Sequence, residues 1–336
     1  MESQTVAAYR FVLAGKVNDP LYHKCLACLR HLEEERPKEI KVETLQFFET
    51  QWEEYLSALQ VEKKGPFFNH KAASPIVYFN DISYVGDGET FLEWALNEFR
   101  YTDTTNTLIY KKKAADAFKA LIDNTPGRNY VFLDVNINDD VQKVIIELFS
   151  EFAPKTCANF LKTCTGEAVN KAGEKLSYVN TDVHRIVKGM YIQAGDLHKA
   201  GVSKYSFRKF NLCLENGASL YEGEFADESF HVKHTEVGLV GMCKKKGNAH
   251  SNECQFYVTT AAPLSFLDSK YVVFGRVISG MRAFKVMEKL EIVNERPVKA
   301  VKIVNAGEYK ITPPKKAAPP TSAANGVEAH ENVLHH

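Results

Sequence analysis

The stretch from Val183 to Asp196, VHRIVKGMYIQAGD, limits what this chain can fold into more than any other. It reads as a strand, a glycine turn at Gly189 and a second extended run. Alternation puts Val183, Arg185 and Val187 on one side of the first strand and His184 and Ile186 on the other. Gln255 to Thr259, QFYVT, reads as another strand with a polar head and an aromatic. Phe266-Leu267-Asp268 and the run from Tyr271 to Gly275 supply more apolar surface. Arg185, Gln193 and Gln255 beside Met190, Tyr257, Phe266 and Leu267 make a shallow apolar site with a few polar groups.

At 336 residues the chain is long enough for two domains, and 45% hydrophobic residues supply sizeable cores. Basic and acidic residues number 42 each, and a net charge of zero argues against a nucleic-acid or membrane-surface binder. No apolar run is long enough to span a bilayer. Arg10 interrupts the short apolar run near the N-terminus, so no signal peptide is expected. The seven cysteines lack a disulfide-scaffold spacing, and reduced thiols in a cytosolic compartment are the expectation.

Residues 1–101 carry their own pattern. Ala7 to Val17 reads as a strand, and Pro20 opens a helix with Leu21, Cys25, Cys28, Leu29 and Leu32 at helical spacing. Ile40 to Leu45 is strand-like, and Thr50 to Leu59 is a second helix. After Ser74-Pro75 come two short apolar runs, Ile76–Phe79 and Ile82–Val85, then a Gly86-Asp87-Gly88 turn and a helix through Phe91, Trp94 and Phe99. Cys25 and Cys28 lie on the apolar stripe a turn or two inside their helix, so core packing is expected rather than redox or metal use. Residues 102–128 form a helical linker in which Lys111-Lys112-Lys113, a solvated start, leads into a helix from Ala114 to Asp123. Its helix either packs on one of the domains or acts as a spacer. Residues 311–336, rich in proline, alanine and small polar residues, are expected to be disordered.

From Val131 to Lys310, the segments VFLDV, ELFSEFAPKTCANFLKTCTGE, HRIVKGMYIQAGD, FADESF, QFYVTT, FLDSKYVVFGRV and VKIVNAGEY occur in an order that resembles the cyclophilins. The resemblance implies a prolyl isomerase domain over 129–310, built as an eight-stranded β-barrel with flanking helices. The N-terminal order, with SPIVYFNDISYVGDGETF, resembles a thioredoxin-like α/β domain of the glutaredoxin type. That resemblance implies a cis peptide before Pro75. The place of the family's redox pair holds Asp19-Pro20-Leu21-Tyr22, which implies a redox-inactive domain.

A prolyl peptide bond turns slowly because its C–N bond has double-bond character, with a barrier of roughly 18–20 kcal/mol. No acid, base, nucleophile or cofactor is required to lower it. A pocket holds the proline ring, and a guanidinium donating to the prolyl nitrogen weakens conjugation in the twisted state. The cyclophilin resemblance assigns these catalytic places to Arg185, Gln193 and Gln255. Substrate-binding places fall on Met190, Tyr191, Cys243, Lys244, Tyr257, Phe266, Leu267 and Tyr271.

Several places depart from the family. Tyr257 stands where phenylalanine is usual, Phe266 where tryptophan is common and Tyr271 where histidine is usual. Met190-Tyr191 replaces Phe-Met. The loop from Met242 to Gln255 is about two residues longer and contains Lys244 to Lys246, expected at a solvated tip. The segment from Leu197 to Asn216 is also expanded. His184, His231, His234 and His250 show no metal spacing, and structural or exposed roles are expected.

Two function classes follow. One is an isomerase of X-Pro bonds in peptides or proteins, attenuated by its altered pocket. The other is a binding or structural module. A cyclophilin subgroup with an N-terminal region of this kind, and with the NERP seen at Asn294 to Pro297, is associated with motile cilia. This resemblance implies a ciliary setting, with axonemal or microtubule-associated proteins as partners.

Overall fold

The computed structural model describes residues 9–62, 74–80, 83–123, 127–169, 173, 175–197, 219–221, 223–245 and 248–310. The expected disordered tail, Lys246 and nearly all of the expanded 197–216 segment lie outside the described residues.

The chain begins with strand β1 (Tyr9–Lys16), helix α1 (Pro20–Glu35), strand β2 (Ile40–Phe47) and helix α2 (Glu49–Glu62). Strands β3 (Ile76–Phe79) and β4 (Ser83–Asp87) and helix α3 (Gly88–Phe99) follow. The four strands form one sheet in the order β2-β1-β3-β4, with β2 parallel to β1 and β3 antiparallel to it. Asp19 starts α1 by accepting from the Leu21 N–H, and Pro20 occupies the first turn, where a missing N–H is harmless. Asp87 caps α3 in the same way through Thr90 N. The Ser74–Pro75 peptide is cis.

Cys25 and Cys28 are fully buried in a core with Phe11, Leu13, Tyr22, Leu29, Val77 and Phe91. Burial pushes the Cys25 thiol far up, and burial with the Asp103 charge pushes Cys28 up to about 12. Both are protonated thiols packed as small apolar groups, the role that their place on the helix stripe predicted.

Helix α4 (Thr107–Asp123) starts seven residues before the expected Ala114, so the three exposed lysines lie within it rather than at its start. Tyr110, Ala114, Phe118 and Ile122 are its buried face. Phe118 and Ile122 enter a cluster with Val17 and Phe48 from the N-terminal part and Tyr130, Ile145 and Ile278 from the C-terminal part. The helix therefore contacts both parts instead of choosing one or holding them apart.

The C-terminal part continues with β5 (Asn129–Ile137), β6 (Asp140–Leu148), helix α5 (Pro154–Thr165) and the short strands β7 (Ala168–Val169) and β8 (Lys175–Leu176). Then come β9 (Arg185–Val187), β10 (Tyr191–Ala194), β11 (Leu239–Lys244), β12 (Asn252–Thr259) and β13 (Val273–Ser279). Helix α6 (Met281–Met287), β14 (Ile292–Val293), β15 (Arg296–Pro297) and β16 (Val301–Glu308) complete it. Eight of these strands make one antiparallel sheet in the order β16-β5-β6-β13-β11-β12-β10-β9. The sheet curls until the segment ahead of β9 meets the opposite edge, with Val183 N–H donating to Val301 O at 2.9 Å.

Strand twist and the register shifts in β16–β5, β13–β6, β11–β13 and β11–β12 curl the sheet, and alternation fills its inside. Val131, Leu133, Val135 and Ile137 of β5 face inward against Phe160 of α5 and Phe284 of α6. Glu228 accepts from Lys155 N and Thr156 N at the start of α5, where the helix dipole favours a negative charge. Val183, expected beside Arg185, turns into the core instead. It precedes the β9 ladder, so strand alternation does not govern it.

Candidate active site

One cross-strand row builds the site. Arg185 of β9 pairs with Gln193 of β10, Gln193 with Tyr257 of β12, and Tyr257 with Gly241 of β11. The neighbouring row, Ile186, Ile192, Val258 and Val240, lies in the core. Period-two alternation therefore sends Arg185, Gln193 and Tyr257 to the outer face together. Glycine is required at 241, because a Cβ there would run into the ring of Tyr257.

The polar residues are tied to one another. Gln193 Nε2 donates to Gln255 Oε1 at 3.0 Å. Arg185 donates through Nε to Glu295 Oε2 at 2.6 Å, and its guanidinium lies 5.7 Å from the centre of the Tyr191 ring. Beside them, Tyr191, Cys243, Tyr257, Leu264 and Leu267 pack as one buried cluster, with Val187, Met190 and Tyr271 against it. Phe266 is 51% exposed on the 3-10 turn Ser265–Leu267, at the cluster's margin.

Gly189 makes the β9–β10 turn at φ 71, a left-handed conformation that favours glycine. Its N–H donates to Glu288 Oε1 at 2.8 Å, and Thr260 Oγ1 donates to the same oxygen at 2.7 Å. Glu288 follows α6, so the turn carrying Met190 is fixed from a separate element.

Lys244 is a correction. The sequence reading puts it at a solvated loop tip, at one of the substrate-binding places that the cyclophilin resemblance implies. It is buried, 2.6 Å from Asp227 Oδ1, and donates to Lys270 O. Burial works against ionisation of Asp227. Hydrogen bonds from Lys244, Asn252 and the His250 N–H outweigh it and hold the carboxyl below its ordinary value. Lys245 is partly exposed and pairs with Glu224 and with Glu253. Three ion pairs, the buried one of Lys244 and two of Lys245 nearer the surface, thus take up the charges of this loop.

Besides Glu288, two further groups are not marked as site residues by the sequence. His234 joins the site from beneath: its Nε2 is 2.6 Å from Tyr257 Oη and its Nδ1 is 2.8 Å from Asp268 Oδ1. Nothing near His234 in sequence announces this, apart from the extra hydroxyl at 257. Glu295 comes from the tip of the β14–β15 hairpin. The signal was an Asn-Glu pair at a place where a tight turn was needed. Among the described residues, no group of three or more His, Cys, Asp or Glu is placed to hold a metal ion.

Residues 132–308, more than half of the chain, match the family described as cyclophilin type peptidyl-prolyl cis-trans isomerase/CLD. The chain belongs to the cyclophilin family. This cyclophilin is 33% identical over 260 residues to the human protein named "Probable inactive peptidyl-prolyl cis-trans isomerase-like 6", covering 76% of this chain and 78% of the relative. The Bos taurus protein of the same name is 34% identical over the same coverage. The peptidyl-prolyl cis-trans isomerase CYP22 of Arabidopsis thaliana is 39% identical over 188 residues, or 54% of this cyclophilin and 85% of that protein. Its likenesses therefore include relatives named as isomerases and relatives named as inactive ones.

Proposed function

We propose that this cyclophilin isomerises X-Pro bonds in peptides or proteins, with attenuated turnover. The observation that carries the reading is the outward row of Arg185 and Gln193 over the Tyr257 ring, with Gln255 bonded to Gln193. A guanidinium beside an apolar floor is the arrangement that prolyl rotation needs. The ring binds to the floor, and an Arg185 N–H donates to the prolyl nitrogen as its conjugation breaks. The donor is worth more to the twisted state, whose nitrogen has regained its lone pair, than to the planar one. Attenuation follows from the floor. Met190 is unbranched and flexible, and fixes a ring less firmly than an aromatic. Tyr191, Tyr257 and Tyr271 pack ring against ring across it. That packing also supports the second reading, a cyclophilin that binds proline-containing segments with little turnover.

The test is an exchange assay on the full chain with a proline-containing tetrapeptide, read by NMR. Wild type should accelerate exchange. Arg185→Ala should lose on the order of 10²–10³-fold, the usual effect of removing one preorganised donor. Binding without acceleration favours the second reading, and a rate unchanged in Arg185→Ala removes Arg185 from the mechanism.

We also read residues 1–101 as a thioredoxin-like domain, 102–128 as its helical linker and 129–310 as the isomerase domain. The strand order and directions of the N-terminal sheet support the first of these, and an experimental structure with another strand order would refute it. The ciliary setting, with axonemal or microtubule-associated partners, rests on the subgroup resemblance. A fluorescent fusion that stays out of axonemes in ciliated cells removes it.

A further inference from the structure

The β14–β15 hairpin is closed by two residues, Asn294 at φ 51 and Glu295 at φ 65. Positive φ at both central positions is the usual geometry of a two-residue hairpin, and Asn-Gly is the pair that adopts it most readily. Asn294 fits. Glu295 does not, because a side chain in the left-handed region costs on the order of 1–2 kcal/mol that glycine would avoid. The turn thus holds a residue that its own backbone disfavours.

The glutamate supplies a carboxylate at one particular place. The hairpin tip docks on β9, where the Ile186 N–H donates to Glu295 O at 2.6 Å. From there Glu295 Oε2 accepts from Arg185 Nε, also at 2.6 Å. Nε is the stem-side nitrogen of the guanidinium. A bond there fixes the plane of the group and leaves the two terminal nitrogens at its far end to serve a ligand. The Tyr191 ring lies against the same guanidinium. An arginine on an outer strand face otherwise carries large rotamer freedom, which a ligand would have to remove on binding. A paired carboxylate also offsets the cost of covering a charge with a neutral peptide.

We propose that Glu295 is a positioning residue for Arg185: it grips the guanidinium by Nε and presents the terminal nitrogens to the prolyl nitrogen. The proposal rests on the isomerase reading for its catalytic consequence, and on the hairpin geometry for the grip.

The experiment uses the full chain with Glu295→Gly and Glu295→Gln. Glycine relieves the turn, so Glu295→Gly should keep or raise the melting temperature while removing the carboxylate. It should lower kcat/KM for the tetrapeptide by about tenfold or more, given the rotamer freedom restored to Arg185. Glu295→Gln keeps an acceptor oxygen without the charge and should fall between. The Arg185 Nε–H signal in nitrogen-edited NMR should be distinct and slowly exchanging in the wild type and solvent-averaged in Glu295→Gly. Wild-type kcat/KM with an unchanged Nε–H signal in Glu295→Gly overturns the proposal. If the wild-type chain has no rate, the isomerase reading fails by itself. The grip is then judged on the Nε–H signal and on tetrapeptide affinity: loss of both in Glu295→Gly upholds it, and retention of either overturns it.

Discussion

One added oxygen at position 257 changes what the pocket floor is tied to. The Tyr257 ring lies over Gly241, and its hydroxyl reaches inward to His234. Burial holds the phenol well above its ordinary pKa, so the hydroxyl keeps its proton, and it donates to His234 Nε2 because the Asp268 carboxylate at Nδ1 can only accept. The imidazole then carries its proton on Nδ1, which donates to Asp268. Burial lowers the His234 pKa against the opposing Asp268 carboxylate, in keeping with a neutral ring. The unfolded chain takes up a proton near the ordinary histidine value of about 6.5, before the folded one does. The stability contributed by the neutral ring is therefore complete above that value and is lost as pH falls through the lower folded value. Tyr257→Phe removes the donor and should cost about 1–3 kcal/mol at neutral pH. The lost bond was made to the neutral ring, so the variant's His234 pKa moves back up and the deficit narrows in acid. Urea denaturation at about pH 7.5 and about pH 5, either side of the ordinary value, measures this. A deficit that is absent, or that widens in acid, contradicts the network. The tyrosine itself is visible in the sequence, but its partner lies 23 residues away, in the loop ahead of β11.

Elements were legible where a local rule set them. Alternation gave the rows of β9, β10 and β12, and Asp19-Pro20 gave the start of α1. Helix α4 starts ahead of its alanine-rich half because a buried stripe, not alanine content, holds it. The stripe that holds the helix runs through Tyr110, Ala114, Phe118 and Ile122 at intervals of four, and the lysines between lie on its solvent side. The lysine loop departs from its expected exposure for a different reason. Asp227 and Glu224 reach Lys244 and Lys245 from another segment, Glu253 reaches Lys245 from the far side of the same loop, and no local pattern gives that pairing. The Asn294-Glu295 turn sits between strands of two residues each, too short for periodicity to register. Of the candidate site, the sequence thus supplied the residues on the groove face. The ones that hold them, Glu295, Glu288 and His234, come from outside the matched strands.

At the scale of the whole molecule, two sheets share one apolar seam. Val17 and Phe48 from the N-terminal part, Phe118 and Ile122 from α4, and Tyr130, Ile145 and Ile278 from the curled sheet make a single buried cluster. Polar contacts border it: Thr50 Oγ1 donates to Val277 O at 3.0 Å, and Glu49 Oε2 accepts from Gly280 N at 2.8 Å ahead of α6. Phe48 is 5% exposed, and its ring meets Phe118 edge-on at 5.6 Å. The sequence left the linker helix free to join either part, because its stripe does not name a partner. A seam of this kind should make the two parts unfold together. Both tryptophans of the chain, Trp52 and Trp94, lie in the N-terminal part, so their fluorescence follows that part alone. Far-ultraviolet circular dichroism follows both. In the wild type the two signals should give one coincident urea transition, the mark of a single cooperative unit. Phe48→Ala removes a buried aromatic and should cost up to about 3–5 kcal/mol. It should also pull the fluorescence midpoint below the dichroism midpoint, because the N-terminal part loses its support from the curled sheet first. Coincident transitions in Phe48→Ala at the wild-type midpoint would show that the Phe48 ring contributes nothing to the seam. Separate transitions already present in the wild type would show that the two parts stand independently.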